Sequence, residues 1–363
     1  MKSYNNLFDK LITDENILEA ICRATLGKRD RKGWSELYQN RQNYIKYFRN
    51  EVINFHNDKH IPKEIYDGIT RKKRIIIVPT MREQVIHHMV VQILKSIVLD
   101  GLYEHSYGSI PGRGVHSAKN SMNKWIRNDK DINYVLKCDI SKYFPSINHN
   151  KLKVSLKKRI RDKRFYDLLS TIIDVNPFGK GLPLGFYTSQ WLSMFFLKEF
   201  DHYIRYCFNS QVLHYMRYVD DIVIMCKNKE DAMRVLKGIE IYLKYVNLKL
   251  NNKTQIYPLD SRDIDFMGFR FFRNKIILRK SIMIKMTRKA NHICKKKYVS
   301  IYEIRQMMAY IGWLKACQIY NVWIKYVKPY FKIKEAKKRI SKYDKRRLHK
   351  CGTMQNLQLD LIA

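Results

Sequence analysis

The chain moves between two hydrophobic rhythms. Residues 1–60 repeat apolar positions at helical spacing among charges of both signs, most clearly in "WSELYQNRQNYIKYFRNEVINFH" (34–56). At 71–80, "RKKRIIIVPT", a basic turn runs into a β-branched stretch, which predicts a strand ended by Pro79. Helical spacing resumes over 82–104. Two short apolar segments then predict strands, "INYVLKCDI" (132–140) and "LHYMRYVDDIVIMC" (213–226). A helix is expected at 188–208, before the second strand, and another at 229–246, after it.

Both predicted strands carry acid. A buried ionised carboxylate is costly unless it is paired or coordinates a cation. "YVDDIVI" sets Asp220 and Asp221 side by side in a β-branched run, where successive side chains point to opposite faces. A tight turn at that point, making a hairpin, would bring both to one place. Asp139 ends the other strand, and "DISKYFPSI" follows it with Phe144 five residues on and Pro145 as a breaker. Three carboxylates without histidine or cysteine partners suit a hard, oxygen-preferring ion such as Mg²⁺. With phosphates brought by a substrate, this is the layout for two-metal phosphoryl or nucleotidyl transfer.

Charge narrows the partner. Lys plus Arg is 70 against 33 for Asp plus Glu, a net +37. Such a chain repels itself unless a polyanion neutralises it, and nucleic acid is the leading candidate. The excess concentrates late: 11 Lys and Arg fall in 270–300, where Asp265 is the last acid before Glu303. A second dense block runs from Lys325 to Lys350, so the last hundred residues are expected to form a helical, strongly basic subdomain. A hydrophobic fraction of 45% supplies a sizeable core and argues against global disorder. No apolar run is long enough to span a bilayer, and the start lacks a signal-peptide core, so a cytoplasmic location is expected. Seven cysteines, an odd count without zinc-ligand spacing, read as reduced thiols.

In order along 65–320, these segments resemble reverse transcriptases. "YVDD" (218–221) resembles the family's palm hairpin signature, and "CDISKYFPSINHNKL" (138–152) the motif with the first catalytic aspartate. "GLPLGFYTSQWLSMFFLKEFDHYI" (181–204) looks like the dNTP-binding loop and helix. "RKKRIIIVPTMREQVIHHMVVQIL" (71–94) and "SYGSIPGRGVHSA" (106–118) are similar to fingers motifs, "LKLNNKT" (248–254) and "FMGFRF" (266–271) to later palm motifs, and "YIGWLKACQ" (310–318) to a thumb segment.

The resemblance implies an α+β, right-hand polymerase architecture. An N-terminal helical region (1–64) would precede fingers (65–130), a palm on an antiparallel sheet (131–272), and a helical basic thumb with a C-terminal tail (273–363). It implies that Asp139, Asp220 and Asp221, with Ile140 completing the site, hold two Mg²⁺ ions, with Mn²⁺ as a substitute. Lys253 would protonate the leaving pyrophosphate. Lys72, Lys73 and Arg74 would meet the triphosphate, and Phe144 would gate the sugar. Leu184, Gly185, Ser189 and Gln190 would line the rest of the nucleotide pocket, Gly185 by letting backbone approach closely. Phe266, Met267 and Gly268 would grip the primer terminus. Arg113, Arg279, Lys280, Lys295, Lys296 and Lys297 would contact nucleic acid, mostly through phosphates. Tyr298, Tyr302, Trp313, Tyr320 and Trp323 would either stack on bases or fill the thumb core.

Many reverse transcriptases carry Gln before the loop glycine and Ser-Pro at the loop's end. This chain has Leu184-Gly185 and Ser189-Gln190. In that respect it resembles the enzymes of diversity-generating retroelements, which copy template RNA with errors at adenines and use a basic accessory protein. A leucine can only pack where an amide would donate and accept, and packing discriminates less than hydrogen bonding. Template RNA, primer, dNTPs and such an accessory protein are the implied partners, in a bacterial or phage setting without a membrane. No RNase H-like or HNH-like segment is visible, which counts against a full group II intron protein. The alternatives are a defence-associated bacterial reverse transcriptase, a non-catalytic RNA-binding scaffold with a palm fold, and a protein bound to a membrane surface through its basic block. The last is disfavoured because "KIKEAKKRISKYDKRRLHK" has few bulky apolar residues.

Overall fold

The computed structural model describes residues 2–66, 73–317 and 320–350, and the chain divides into two compact units. The first comprises Met1–Lys28 and Glu36–Ser261, the second Arg29–Ser35 and Arg262–Ala363. The first opens with short helices: α1 (Leu7–Leu11), α2 (Asp14–Thr25), α3 (Lys32–Gln39) and α4 (Ile45–Ile53). The single helix expected over 34–56 is thus interrupted. Polar Asn40 leaves α3, and a 3₁₀ turn at Arg41–Tyr44 resets the direction before α4. An antiparallel ribbon follows, β1 (Pro62–Tyr66) against β2 (Lys73–Ile77), and most of its residues are exposed.

Helix α5 (Met81–Leu99) is the spine of this unit. Its start is fixed by a capping box, in which Thr80 takes the Glu83 amide while the Glu83 carboxylate takes the Thr80 amide. Glu83 is fully buried and also accepts from the Asp58 amide and from His60 Nε2. The helix ends five residues earlier than the periodicity of 82–104 suggested, because Gly101 turns the chain at φ +66°.

A five-stranded sheet carries the chemistry. Beyond β3 (Ser106–Tyr107) and α6 (Val115–Asn128), the chain forms β4 (Tyr134–Asp139), then α7 (Tyr143–Ser146), α8 (His149–Arg159) and α9 (Lys163–Ile173). Next come α10 (Tyr187–Phe196), α11 (Lys198–Cys207), the hairpin β5 (His214–Tyr218) and β6 (Asp221–Cys226), then α12 (Lys229–Tyr245) and β7 (Gln255–Pro258). The strand order is β3-β5-β6-β4-β7, antiparallel except where β3 meets β5. The strands nearest the centre read as apolar runs because they are covered: Val135, Leu136, Ile222, Val223 and Ile224 are all buried. Helix α12 packs on β4, β6 and β7, while α2 and α10 pack on α5. The helix expected over 188–208 breaks at Leu197 into α10 and α11.

The second unit is α+β in its own right. Three antiparallel strands, β8 (Ile264–Phe266), β9 (Phe269–Phe271) and β10 (Ile276–Leu278), precede α13 (Lys280–Cys294), α14 (Ile301–Lys315), α15 (Tyr320–Tyr326) and α16 (Ile333–Lys350). Its core includes Phe266, Phe269, Phe271, Ile282, Met286, Met307 and Ile311. No described helix is long and apolar enough to cross a membrane. Cys138, Cys207, Cys226 and Cys294 are free, and Cys351 lies outside the described residues.

Candidate active site

The β5–β6 hairpin sets Asp220 and Asp221 beside the end of β4, which carries Asp139. Strands β4 and β6 pair so that Asp139 stands directly opposite Asp221, each at the end of its strand. Val219 and Asp220 form the two-residue turn between β5 and β6, and the Asp220 carbonyl accepts from the Ile140 amide at 3.2 Å. All three carboxylates are half-buried. Burial pushes the Asp220 carboxyl up to about 6, and the neighbouring Asp139 and Asp221 push the same way; Arg74 opposes them. Such mutual repulsion is what a bound cation relieves. Among the described residues, no group of three His, Cys, Asp or Glu side chains converges tightly enough to hold an ion alone. The oxygen-only donors suit a hard cation such as Mg²⁺, which usually takes one or two carboxylates and leaves its other positions to water and phosphates.

Asn251 is a site residue that the sequence reading passed over. Its amide nitrogen donates to the Asp139 carbonyl at 2.7 Å, and its Nδ2 to Asp139 Oδ2 at 3.2 Å. The segment "LKLNNKT" was read as a motif, but the signal was the residue type, a side chain able to donate to a carboxylate. Lys253, two residues on, is exposed, and its backbone amide donates to Asn251 Oδ1.

The loop 181–185 is held on two sides. The Leu182 amide donates to the Phe144 carbonyl at 2.9 Å and the Gly181 amide to the Ile147 carbonyl at 2.8 Å. On the other side the Ile77 amide of β2 donates to the Leu184 carbonyl at 2.7 Å. Gly185 sits at φ +115°, and a Cβ there would lie 2.1 Å from the Ile77 carbonyl oxygen. The close approach that this glycine permits is made here by the backbone of β2. Phe144 is half-buried beside Tyr143, and Leu184 is also half-buried. Ser189 is buried in α10, while Gln190 is exposed.

Behind the loop lies a cavity of about 260 Å³ lined by Ile76–Pro79, Gln84, His87, His88, Gly185 and Tyr187. His87 is fully buried with Nδ1 2.9 Å from Thr188 Oγ1, and its edge meets the Phe186 ring. Burial, then His88 and His60, lower its pKa to about 3. Burial, then Lys28 and Arg23, lower that of His88 to about 4. Both imidazoles are therefore neutral at physiological pH.

A second buried polar group lies under the catalytic hairpin. Arg217 of β5 and Asp201 of α11 are 1% and 0% exposed, and Arg217 Nε and Nη2 donate to Asp201 Oδ1 and Oδ2 at 2.6 and 2.5 Å. Tyr215 donates its hydroxyl to Asp201 Oδ1 at 2.6 Å. Burial disfavours the guanidinium charge, but the Asp201 carboxylate more than offsets this and holds it above the ordinary arginine range. A charged residue inside "HYMRYV" was the available signal, since a buried charge must have a partner.

The remaining sequence candidates divide by surroundings. Arg74 and Lys73 lie on β2; Lys73 pairs across the ribbon with Glu64 at 2.6 Å, and Lys72 lies outside the described residues. Arg113 is half-buried and donates to the Tyr103 carbonyl, so its guanidinium braces a turn. In the second unit, Met267 and Gly268 form the β8–β9 turn, whereas the Phe266 side chain is wholly buried and serves the core. Arg279 pairs with Asp265 and Lys296 with Glu303, leaving Lys280, Lys295 and Lys297 exposed. Tyr298, Tyr302 and Tyr320 are exposed, while Trp313 packs on Phe269 and Trp323 is half-buried.

Comparison with known proteins finds the following likenesses. The family model described as reverse transcriptase (RNA-dependent DNA polymerase) matches residues 61–271. Protein YkfC of Escherichia coli K12 is 26% identical over 64% of this chain and 72% of its own length. An uncharacterized 91 kDa protein in the cob intron of Schizosaccharomyces pombe is 28% identical over 44% of this chain and 20% of its own. Among solved structures, apo telomerase from Candida tropicalis aligns at 16% identity with a TM-score of 0.48, covering 77% of this chain and 58% of that one. The chain thus spans only part of each of these relatives.

Proposed function

This chain belongs to the reverse transcriptase (RNA-dependent DNA polymerase) family, and from that premise we propose that it extends a primer by RNA-templated nucleotidyl transfer. The observation that carries the reading is Asp139 standing opposite Asp221 with Asp220 in the adjoining turn. When bound there, a pair of divalent cations, Mg²⁺ or Mn²⁺, supplies Lewis-acid polarisation of phosphoryl oxygens and neutralises developing charge. The three carboxylates provide the hard donors, and Asn251 fixes how Asp139 presents its own. Arg74, whose charge already reaches Asp220, meets the triphosphate. Phe144, tied by its carbonyl to the loop, excludes a sugar 2′-hydroxyl. Lys253 stands near enough in sequence to Asn251 to serve as proton donor to pyrophosphate. The basic surface of the second unit, through Lys280, Lys295 and Lys297, holds template and primer phosphates.

The finer reading is a diversity-generating enzyme, with an accessory protein as partner. Its support is Leu184 itself, an apolar side chain where many reverse transcriptases carry a glutamine amide, with its carbonyl taken by the Ile77 amide. Primer extension on poly(rA) and on a defined RNA, with Mg²⁺ or Mn²⁺, comparing the wild type with Asp220→Asn, tests the polymerase. Extension that survives the substitution sinks the assignment and leaves an RNA-binding scaffold. Sequencing cDNA made by Leu184→Gln tests the branch, and unchanged error at template adenines removes it.

A further inference from the structure

The residue before the catalytic pair adopts a conformation its side chain resists. Val219 has φ +58°, a value that a β-branched residue rarely takes. It is the first of the two residues joining β5 to β6, a position where hairpins with positive φ strongly prefer glycine. Such strain persists only where the surroundings over-determine it.

The surroundings do so here from three directions. The Val219 amide donates to the Tyr107 carbonyl of β3 at 3.1 Å. The Val219 carbonyl accepts from Arg217 Nη1 at 2.8 Å. The side chain nests against Gly108, where an added Cβ would lie 2.7 Å from Val219 Cγ2. Arg217 cannot swing away, since its other nitrogens are held by Asp201 and by Ser106 Oγ at 2.9 Å. Asp201 is itself fixed by the Tyr215 hydroxyl. Nε and Nη2 are thus committed to Asp201 and Ser106, and Nη1 reaches the turn.

We infer that Arg217, braced by Asp201, is a positioning residue that holds Val219 in its strained turn and so sets Asp220 and Asp221 against Asp139 for cation binding. The inference rests on the polymerase reading for its activity readout, but not for its binding readout. Relaxing the turn would move Asp220 first, since its peptide follows Val219 directly, and would lower affinity for divalent cations without touching the nucleotide loop.

The test is Arg217→Lys, which keeps a cation beside Asp201 but cannot reproduce the forked set of bonds. Three readouts are taken on the full chain: thermal melting, Mn²⁺ affinity by electron paramagnetic resonance of free Mn²⁺, and primer extension on poly(rA)–oligo(dT) with titrated Mg²⁺. The expected result is a folded variant with kcat down about tenfold, KM for dTTP within about threefold, and a half-saturating Mg²⁺ concentration raised severalfold. Mn²⁺ affinity falls in parallel. Adding Val219→Gly to Arg217→Lys removes the strain that the arginine opposes, and recovers part of the lost kcat. An Arg217→Lys enzyme with wild-type kcat and metal requirement overturns the inference. So does one whose activity falls only with its folded fraction while its metal requirement stays fixed. If Arg217→Lys does not melt cooperatively, Tyr215→Phe, which removes one bond that fixes Asp201 and leaves Arg217 in place, is read by the same criteria. A wild type that binds Mn²⁺ yet extends no primer refutes the polymerase reading, and the Mn²⁺ comparison alone then decides the inference.

Discussion

Gly185→Ala is the sharpest probe of how the nucleotide loop is built. The new Cβ would stand 2.1 Å from the Ile77 carbonyl oxygen, a backbone atom that cannot rotate away. The residue would also have to hold φ +115°, a region nearly closed to L-residues, at a cost of about 1–3 kcal/mol. If β2 recoils, the Ile77–Leu184 hydrogen bond goes with it, a further loss of about 1 kcal/mol. The sum, roughly 2–4 kcal/mol, corresponds to a melting temperature lower by roughly 5–15 °C in a unit of this size. Gly179→Ala is the matched control, because φ there is +66° and a Cβ would meet nothing within 4 Å. It should cost only the left-handed penalty, about 1 kcal/mol. Differential scanning calorimetry measures both, and primer extension at limiting dNTP measures KM, which should rise for Gly185→Ala alone. Equal melting temperatures for the two variants, or an unchanged KM in Gly185→Ala, would refute a loop clamped by β2.

Three further outcomes are expected. His87 and His88 have pKa values lowered to about 3 and about 4, so between those values and the unfolded 6.5 the unfolded chain binds more protons and stability falls as pH falls. Going from pH 7 to 5 should cost at most about 2 kcal/mol for each, and in urea melts His87→Gln should narrow the gap between the two pH values by a similar amount. Asn251→Leu, which removes the donor to Asp139 Oδ2 while keeping similar bulk, should lower kcat about tenfold with little change in RNA affinity measured by filter binding. Replacing Lys295 and Lys297 together by alanine should weaken RNA binding across sequences and reduce the slope of log affinity against log salt by about 1–2, with melting unchanged.

Much of this site was legible in the chain because its chemistry conflicts with its surroundings. Acids inside β-branched runs need a reason, and Asp139 stands opposite Asp221 across β4 and β6, with Asp220 in the adjoining turn. The same rule applied to Arg217 would have found its buried partner, but periodicity drew attention to the aspartates alone. Other features could not be read locally. The break at Leu197 and the early end of α5 belong to helices whose apolar spacing continues past them. Nothing in "GLPLGFYTSQ" announces that a strand more than a hundred residues earlier in the chain presses on Gly185. The thumb-like basic residues were visible as charge, yet their availability depended on Asp265 and Glu303, which capture Arg279 and Lys296.

The strand order has a consequence for how the protein comes into being. Asp139 leaves the ribosome about eighty residues before Asp221, and β7, which borders β4 on its other side, follows later still. Until β6 inserts between β5 and β4, the nascent chain carries Asp139 on one strand and Asp220 and Asp221 on a separate hairpin, neither of which holds a complete donor set. Closing so long a loop is slow compared with local helix formation. The basic blocks at 270–300 and 325–350 are made after all of these strands. The carboxylates can therefore meet before the chain carries most of its positive surface, and the middle strands of the sheet set when they do.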